Sequence, residues 1–538
     1  MSTAHAALQI TDILEEIVGQ LAPEMEWTDE GQRRGLAAMS RVSQTFHVPA
    51  NRVLWTRLPS LFPLLLLLPE FDRAYQARLG EHPTEHLPWR LSEPITQENW
   101  TRFRARAALV RTLLERGPHW EQGILDEESW SYLTRLSDGA PLLPSLRVLH
   151  WWPATTGEDL RLLASPLLRT LALHHILPPE DQSEDRVLLA VRDMFSNTPT
   201  LTEFQLINCH GDFFTRIDLT ALQKLKAVWH ISADTEMQEF PMKWLPQDDE
   251  LLVLAALPAL EHLWIELALD REPDLVGFSS LRTLYIMDNG YDATHFLPRC
   301  ASPDLRELTI DFSGVSSPVY VESVMGSELP RLCTTIAQRF PQLRCLKVER
   351  SEAFIADSPE TFLAATQPLL VLRDLTTLSL YFGGGALVLS DAVFDSFAEA
   401  WPALTSLTIC VRSLSHSATT APHPATVTLR ALRAFSRRCP LLRELHIPHL
   451  HVAAEDCKYA GGSEPSSSHR LRTLAVCRAV VADERACALA LHHIFPQLDT
   501  DASRELYSSS NHSEYADWEQ QRRFGTTWSN LLSTVDSI

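Results

Sequence analysis

The side chains best suited to chemistry form a short group late in the chain: His446, His449, His451, Asp456 and Cys457. Imidazole, carboxylate and thiolate groups of this kind bind transition-metal ions. However, His446 lies between two apolar residues of an extended segment, and Pro448 interrupts any regular ligand spacing. We therefore interpret these histidines as incidental, and we expect neither a metal site nor another cofactor.

A second segment with chemical potential is the glycine run at 383–385, which could form an oxyanion hole. The run follows an apolar segment ending at Leu380, where a turn is needed and glycine is favourable. No nucleophile elbow, phosphate-binding loop or HExxH motif accompanies it. We therefore expect no catalytic residues and no enzymatic activity.

Composition limits the function further. The 538 residues exceed one ordinary core, so several modules or a solenoid are expected, and the net charge of -21 argues against nucleic acid as the main ligand. Nine cysteines without a CxxC pair favour a reducing compartment, the cytoplasm or the nucleus. The apolar run Leu61–Leu68 is interrupted by Pro63 and is shorter than the roughly 20 residues that span a bilayer. We therefore expect no membrane association.

The elements that position the remaining side chains are set by a repeat. Twelve segments between residues 141 and 476 contain a leucine, two residues, an apolar residue, one residue and usually another apolar residue. The first copy is Leu146, Leu149 and Trp151, and copies follow every 21 to 38 residues. Apolar residues two apart indicate a strand with one buried face. Because one unit cannot bury that face alone, neighbouring units must stack.

This pattern resembles the leucine-rich repeat, in which each unit forms a strand and a helical or irregular return. The unequal unit lengths, and the rarity of Asn or Cys at the ninth repeat position, resemble the irregular repeats associated with F-box proteins. Helical returns are predicted within 324–340, 390–402 and 429–439. The expected fold class is α/β, with a curved solenoid that carries a parallel sheet on its concave face.

The N-terminal segment is different. Apolar residues at 10, 13, 14, 17, 18 and 21 form one stripe of a first helix, and residues 36, 39, 42, 43 and 46 line a second. Val53, Leu54 and Trp55 follow. This order resembles the trihelical F-box of fungal-type F-box proteins over roughly residues 6 to 58, although the usual early proline is absent and the loop 22–35 is long.

The resemblance implies a partner, a Skp-type adaptor and through it a cullin of a ubiquitin ligase. The residues that it assigns to the adaptor-binding face or its support are Leu8, Ile10, Ile13, Leu14, Ile17, Leu21, Val42, Phe46 and Trp55. The alternative is that these helices only cap the solenoid. The expected domain limits are an F-box-like domain at 1–58, a helical connector at 59–140, the solenoid at 141–480 and a C-terminal cap and tail at 481–538.

A target would bind the strand positions that alternate with the buried leucines. The candidates are His150, Trp152, Trp229, Trp264, Glu266, Tyr285, Glu307, Asp311 and Tyr381. We expect Trp229, Trp264 and Tyr285 to lie on adjacent strands and to form an aromatic patch flanked by Glu266, Glu307 and Asp311. The sequence therefore predicts a substrate-recognition subunit of a Skp–cullin–F-box ligase, or otherwise a non-catalytic repeat scaffold. The target protein remains unidentified.

Overall fold

The chain folds into two compact units, Met1–Trp244 and Leu245–Ile538. The computed structural model describes the following residues: 11–20, 30–71, 89–91, 94–114, 125–152, 157–174, 183–207, 223–231, 248–267, 269, 276–288, 292–312, 325–353, 358–384, 387–411, 427–458, 469–504 and 518–538.

Three helices open the described part of the first unit: α1 (Thr11–Gly19), α2 (Glu30–Met39) and α3 (Gln44–Thr56). The prediction of one second helix that continues through Phe46 is wrong, because α2 ends at Met39. Ser43 instead adopts extended backbone and caps α3, its hydroxyl accepting a hydrogen bond from the Phe46 amide. Val18, Leu36 and Ala50 form a small core between the three helices.

Among the residues that the structure describes, the first unit continues with five helices and six strands. The helices are α4 (Phe62–Leu65), α5 (Gln97–Ala107), α6 (Glu127–Leu136), α7 (Glu158–Leu163) and α8 (Ser183–Asn197). The strands are β1 (Arg57–Leu58), β2 (Thr112–Leu114), β3 (Val148–Trp151), β4 (Thr170–His174), β5 (Glu203–Ile207) and β6 (Ala227–Ile231). They pair in parallel and in chain order, β1 to β6.

The second unit has nine α-helices among the residues that the structure describes: α9 (Asp248–Ala255), α10 (Asp292–Phe296), α11 (Met325–Arg339), α12 (Pro359–Thr366), α13 (Asp391–Ala400), α14 (Leu429–Arg438), α15 (Ala454–Lys458), α16 (Glu484–Ile494) and α17 (Trp518–Asp536). Two 3-10 helices, Leu297–Arg299 and Gln367–Val371, extend α10 and α12. The helical returns predicted around α11, α13 and α14 are confirmed.

In the part of the second unit that the structure describes, eight strands form the sheet: β7 (His262–Leu267), β8 (Thr283–Asp288), β9 (Glu307–Asp311), β10 (Cys345–Ala353), β11 (Thr377–Gly384), β12 (Ser406–Val411), β13 (Glu444–Val452) and β14 (Thr473–Val481). They also pair in parallel and in chain order. Parallel strands with a return after each one, stacked in sequence order, are the arrangement of a leucine-rich-repeat-like solenoid.

The repeat determines the strands because its leucines need a buried face. Each of the twelve copies corresponds to one strand from β3 to β14, and the middle residue of each copy, such as Leu149 or Leu284, is buried. The registers align these residues across strands, as in the pair Leu263 and Leu284. The core face is thus a layer made mostly of leucine, isoleucine and valine, with the aromatic residues Trp151 and Phe204 among them. The predicted fold class is confirmed in its α/β composition and parallel strand order.

The parallel sheet begins earlier in the chain than the repeat pattern indicated. β1 and β2 both precede residue 141, and Leu58, Leu113 and Leu149 lie level with one another. The segment expected to be a helical connector therefore also contains strands, since α5 ends at Ala107 and the chain enters β2 at Thr112. The domain limits given above remain a proposal.

Gly157 is a position where only glycine fits. It precedes α7 with a left-handed φ of 66°, and a Cβ there would overlap the Ala190 Cβ and approach the Arg186 carbonyl oxygen at 3.3 Å. Gly139 has a similar φ of 70° but open space around it. We expect Gly157→Ala to lower the free energy of unfolding by about 3 kcal/mol and Gly139→Ala by about 1 kcal/mol, because both are strained but only the first clashes. Urea denaturation of the full chain measures this, and equal losses would contradict it.

Candidate functional site

The candidate binding surface is the sheet face opposite the leucine core, called here the opposite face. In β8 the residues of the opposite face, Thr283, Tyr285 and Met287, are half-buried, while the residues between them are buried. The same alternation occurs in β3 and β5. Side chains at these positions therefore point away from the core, as the period of two requires.

The structure brings Trp264 of β7 and Tyr285 of β8 into direct contact. The two residues are in register, and their ring centroids are 3.9 Å apart with an interplanar angle of 32°. Both rings are half-buried. The indole nitrogen of Trp264 is buried and has no hydrogen-bond acceptor among the described residues, so ring contact rather than hydrogen bonding holds the side chain in place.

Asp311 of β9 completes this group. The Tyr285 hydroxyl donates a hydrogen bond of 2.8 Å to the Asp311 carboxylate. Burial, together with the hydrogen bond to Asp311 and its negative charge, raises the pKa of the Tyr285 hydroxyl well above its usual value. The phenol is therefore protonated at neutral pH and acts as a donor. Trp264, Tyr285 and Asp311 form one connected group, which we call the aromatic group.

The acidic side chains expected to flank these aromatics are not equivalent. Glu307 is exposed, whereas Glu266 is only 1% exposed and Asp311 only 9%. Glu266 therefore does not offer an accessible carboxylate, in contrast to the expectation from sequence. The alternation that places a residue on the opposite face does not ensure that solvent reaches it.

Three more of the candidates lie in the first unit. Trp152 stacks on His174 of β4 with ring centroids 4.8 Å apart, and the ring of His150 lies 6.1 Å from the same histidine. Trp229 is half-buried on β6, in register with Gln205 of β5. The aromatic side chains of the first unit therefore pack on a buried histidine, His174, which is not among the candidates named from the sequence.

Tyr381 of β11 is half-buried and lies in register with Cys410 of β12. Beside it the structure assembles a group that sequence reasoning missed: Cys410, His446 and Cys477, on the adjacent strands β12, β13 and β14. Their potential ligand atoms all lie within 4.8 Å of one another. Of the three histidines considered from the sequence, only His446 belongs to this group, and its neighbours are two cysteines that are distant from it along the chain.

A signal for this group was present in the sequence. Cys410 directly follows Ile409 and Cys477 directly follows Val476, so both occupy the same position of the repeat. Two cysteines at one repeat position, two copies apart, place two thiols on either side of the intervening strand. His446 lies between them in that intervening copy, one residue before Ile447.

The structure describes the side chains of five of the nine predicted adaptor-binding residues. Leu14 is buried, Phe46 and Trp55 are half-buried, and Ile17 and Val42 are 42% and 71% exposed. The side chain of Ile13 is not described, and Leu8, Ile10 and Leu21 lie outside the described residues. The structure therefore leaves two of the candidates, Ile17 and Val42, open to a partner.

None of the helices in the described part of the chain combines the length and the apolar content needed to cross a bilayer. No protein-family model matches the chain. A search of curated proteins also gives no match.

Solved structures that resemble the chain include a protein from Bacteroides fragilis at 14% identity and a TM-score of 0.28, covering 52% of this chain and 65% of that one. TLR13 in complex with ssRNA13 is 15% identical with a TM-score of 0.27, covering 74% of this chain and 40% of that one. Yeast Rad7, solved in complex with Elc1, is 14% identical with a TM-score of 0.28, covering 66% and 85%. At these TM-scores the similarities carry no argument about function.

Proposed function

We propose that this chain is a substrate-recognition subunit of a Skp–cullin–F-box-type ubiquitin ligase. In this proposal helices α1 to α3 bind the adaptor, and the opposite face of the repeat sheets binds the target protein. The chain itself is non-catalytic. It accelerates ubiquitin transfer by holding target lysines at a high local concentration near the charged conjugating enzyme, in the cytoplasm or the nucleus.

The observation that carries the proposal is the apolar surface left on the N-terminal helices. α1, α2 and α3 bury Val18, Leu36 and Ala50 against one another, yet Ile17, Val42 and Val48 remain 42%, 71% and 55% exposed. Three exposed branched apolar residues on a unit of about fifty residues favour a surface that a partner covers. The resemblance of the sequence to F-box proteins implies that this partner is a Skp-type adaptor.

One observation favours the alternative of a scaffold with capping helices. α3 leads directly into β1, and Leu58 of β1 lies in register with Leu113 of β2, so the helices are continuous with the first sheet. A cap for the sheet needs this continuity, but it does not need exposed Ile17 and Val42. The two functions therefore differ in whether the exposed residues have a partner.

Co-expression of the full chain with a Skp-type adaptor and its cullin, followed by affinity purification, tests the proposal. We expect both subunits to be recovered with the chain. If the chain is well folded by circular dichroism but neither subunit is recovered with it, the scaffold would be the remaining function.

For the target-binding surface we propose the aromatic group and the exposed Glu307 beside it. Paired aromatic rings supply much contact area at little cost in conformational entropy, and such residues dominate binding energies at protein interfaces. Tyr285 also offers a hydroxyl whose orientation is fixed by Asp311. A partner that binds here would meet a rigid apolar centre with an acidic margin.

The double substitution Trp264→Ala and Tyr285→Ala should reduce target recovery by about 30-fold or more, since each ring is a hot-spot position. Quantitative proteomics of captured proteins measures this, with Leu252→Ala as the matched control because Leu252 is an exposed apolar residue, 45% accessible, on α9. Equal sets of bound proteins for wild type and the double variant would rule out this surface.

A further inference from the structure

The alternation of buried and accessible residues breaks at the C-terminal strands. On β12 and β13, Cys410 and His446 belong to the opposite face, yet they are only 1% and 0% exposed. Cys477 on β14 is half-buried. Two sulfurs and an imidazole are therefore enclosed on the opposite face, as Glu266 is on β7, and Cys477 is the most accessible of the three.

The distances within this cluster match those of a metal site. The two sulfurs are 3.7 Å apart, and Nε2 of His446 lies 3.2 Å from the Cys477 sulfur. Tetrahedral zinc, with bonds of about 2.3 Å to sulfur and about 2.0 Å to nitrogen, separates two sulfurs by about 3.8 Å and sulfur from nitrogen by about 3.5 Å. These two distances are within a few tenths of an ångström of the zinc values, and all three ligand atoms lie within 4.8 Å of one another.

A disulfide explains the proximity of the sulfurs less well. Cys410 and Cys477 lie on strands with β13 between them, so their Cα atoms are separated by about 9.6 Å, two strand spacings. A disulfide needs Cα atoms within about 7 Å. An ion between the sulfurs bridges the longer span without moving the backbone.

Nε2 of His446 faces the Cys477 sulfur, whereas Nδ1 is buried and has no hydrogen-bond partner among the described residues that would fix the protonation of the ring. Coordination through Nε2 would hold the imidazole in place and fix its tautomer.

We propose that Cys410, His446 and Cys477 form a site for a thiophilic divalent ion of the zinc type, which links β12, β13 and β14. Binding replaces the two thiol protons, so that two thiolates and a neutral imidazole ligate the ion and two protons pass to solvent. Three protein ligands leave the fourth position for water. The site stabilises the C-terminal strands of the solenoid, independently of any adaptor or target.

The test is a titration of the reduced, metal-free full chain with Co²⁺ and then Zn²⁺. We expect one equivalent of Co²⁺ to give a thiolate charge-transfer band and tetrahedral ligand-field bands, both removed by Zn²⁺. Zinc should also raise the thermal unfolding midpoint of the wild type. Cys410→Ser with Cys477→Ser, and separately His446→Gln, should weaken binding by about 100-fold or more.

Cys345→Ser is the matched control, because Cys345 is a half-buried thiol outside the cluster, and it should bind like wild type. The titration of wild type does not depend on whether a variant folds. Absence of a stoichiometric cobalt spectrum, equal binding by the double cysteine variant, or a Cys410–Cys477 disulfide that re-forms in air after reduction in place of metal binding would each overturn the proposal.

Discussion

Replacing Ile17 and Val42 together by aspartate is expected to weaken adaptor binding by about 100-fold or more. Both side chains are exposed, at 42% and 71%, so a carboxylate at either position remains hydrated and leaves the helix core intact. In a complex the same carboxylates would be buried against an apolar partner without a compensating charge. The loss therefore arises in the bound state, and calorimetric titration with purified adaptor measures it.

The control for this variant is Leu189→Asp. Leu189 is 50% exposed on α8 and carries the same kind of exposed apolar side chain outside the three N-terminal helices. It should bind the adaptor as wild type does. Equal weakening by both variants would indicate a general effect of added charge, and no weakening by the double variant would remove Ile17 and Val42 from the interface.

The second large effect is expected for Trp401→Ala. Trp401 follows α13 and is fully buried, its ring centroid is 4.7 Å from that of Phe397, and its indole N–H donates to the Leu369 carbonyl. Its own carbonyl accepts from the Leu404 amide, so the residue also shapes the turn into β12. Removing the ring leaves a large cavity and takes away one of the two hydrogen bonds that the Leu369 carbonyl accepts, the other coming from the Leu372 amide, and we expect a loss of about 4 kcal/mol in the free energy of unfolding.

Urea denaturation followed by circular dichroism measures this loss. Leu441→Ala is the control, because Leu441 is 40% exposed and its truncation should cost less than about 1 kcal/mol. Trp401→Phe should lie between the two, since it retains a ring and loses the hydrogen bond. A loss for Trp401→Ala no larger than that for Leu441→Ala would contradict the packing described here.

The twelve repeat strands were predictable because their physics is local. Each copy has a leucine, an apolar residue three positions later and another two positions after that. This spacing alone predicts both the strand and its buried face. The repeat pattern did not predict β1 and β2, because Trp55 and Val110 occupy the leucine position ahead of Leu58 and Leu113. These strands also have only two and three residues.

The break between α2 and α3 was missed for a different reason. One apolar stripe passes through Leu36, Met39, Val42 and Phe46, and this periodicity alone predicts one continuous helix. The Ser43 side chain competes for the amide of Phe46 and starts a new helix. Capping is a property of one side chain, whereas periodicity averages over many residues.

The candidate sites depended on contacts between repeats. Alternation placed Trp264, Tyr285 and Asp311 on one face, but it could not predict that Tyr285 bonds to Asp311 or that Glu266 is buried. The cysteine and histidine cluster joins residues 31 and 67 positions apart. Its prediction required alignment of the repeats by position, because spacing along the chain has no metal-ligand pattern.

Sedimentation of the purified full chain with a purified Skp-type adaptor tests the proposed function most directly. The proposal predicts a stable complex with one adaptor per chain, formed by wild type and by Leu189→Asp but not by the Ile17→Asp, Val42→Asp variant. Two separately sedimenting species would contradict it, if the wild-type chain is folded and both proteins are present well above the dissociation constants of ordinary subunit interfaces. The N-terminal helices would then be a cap of the repeat sheet.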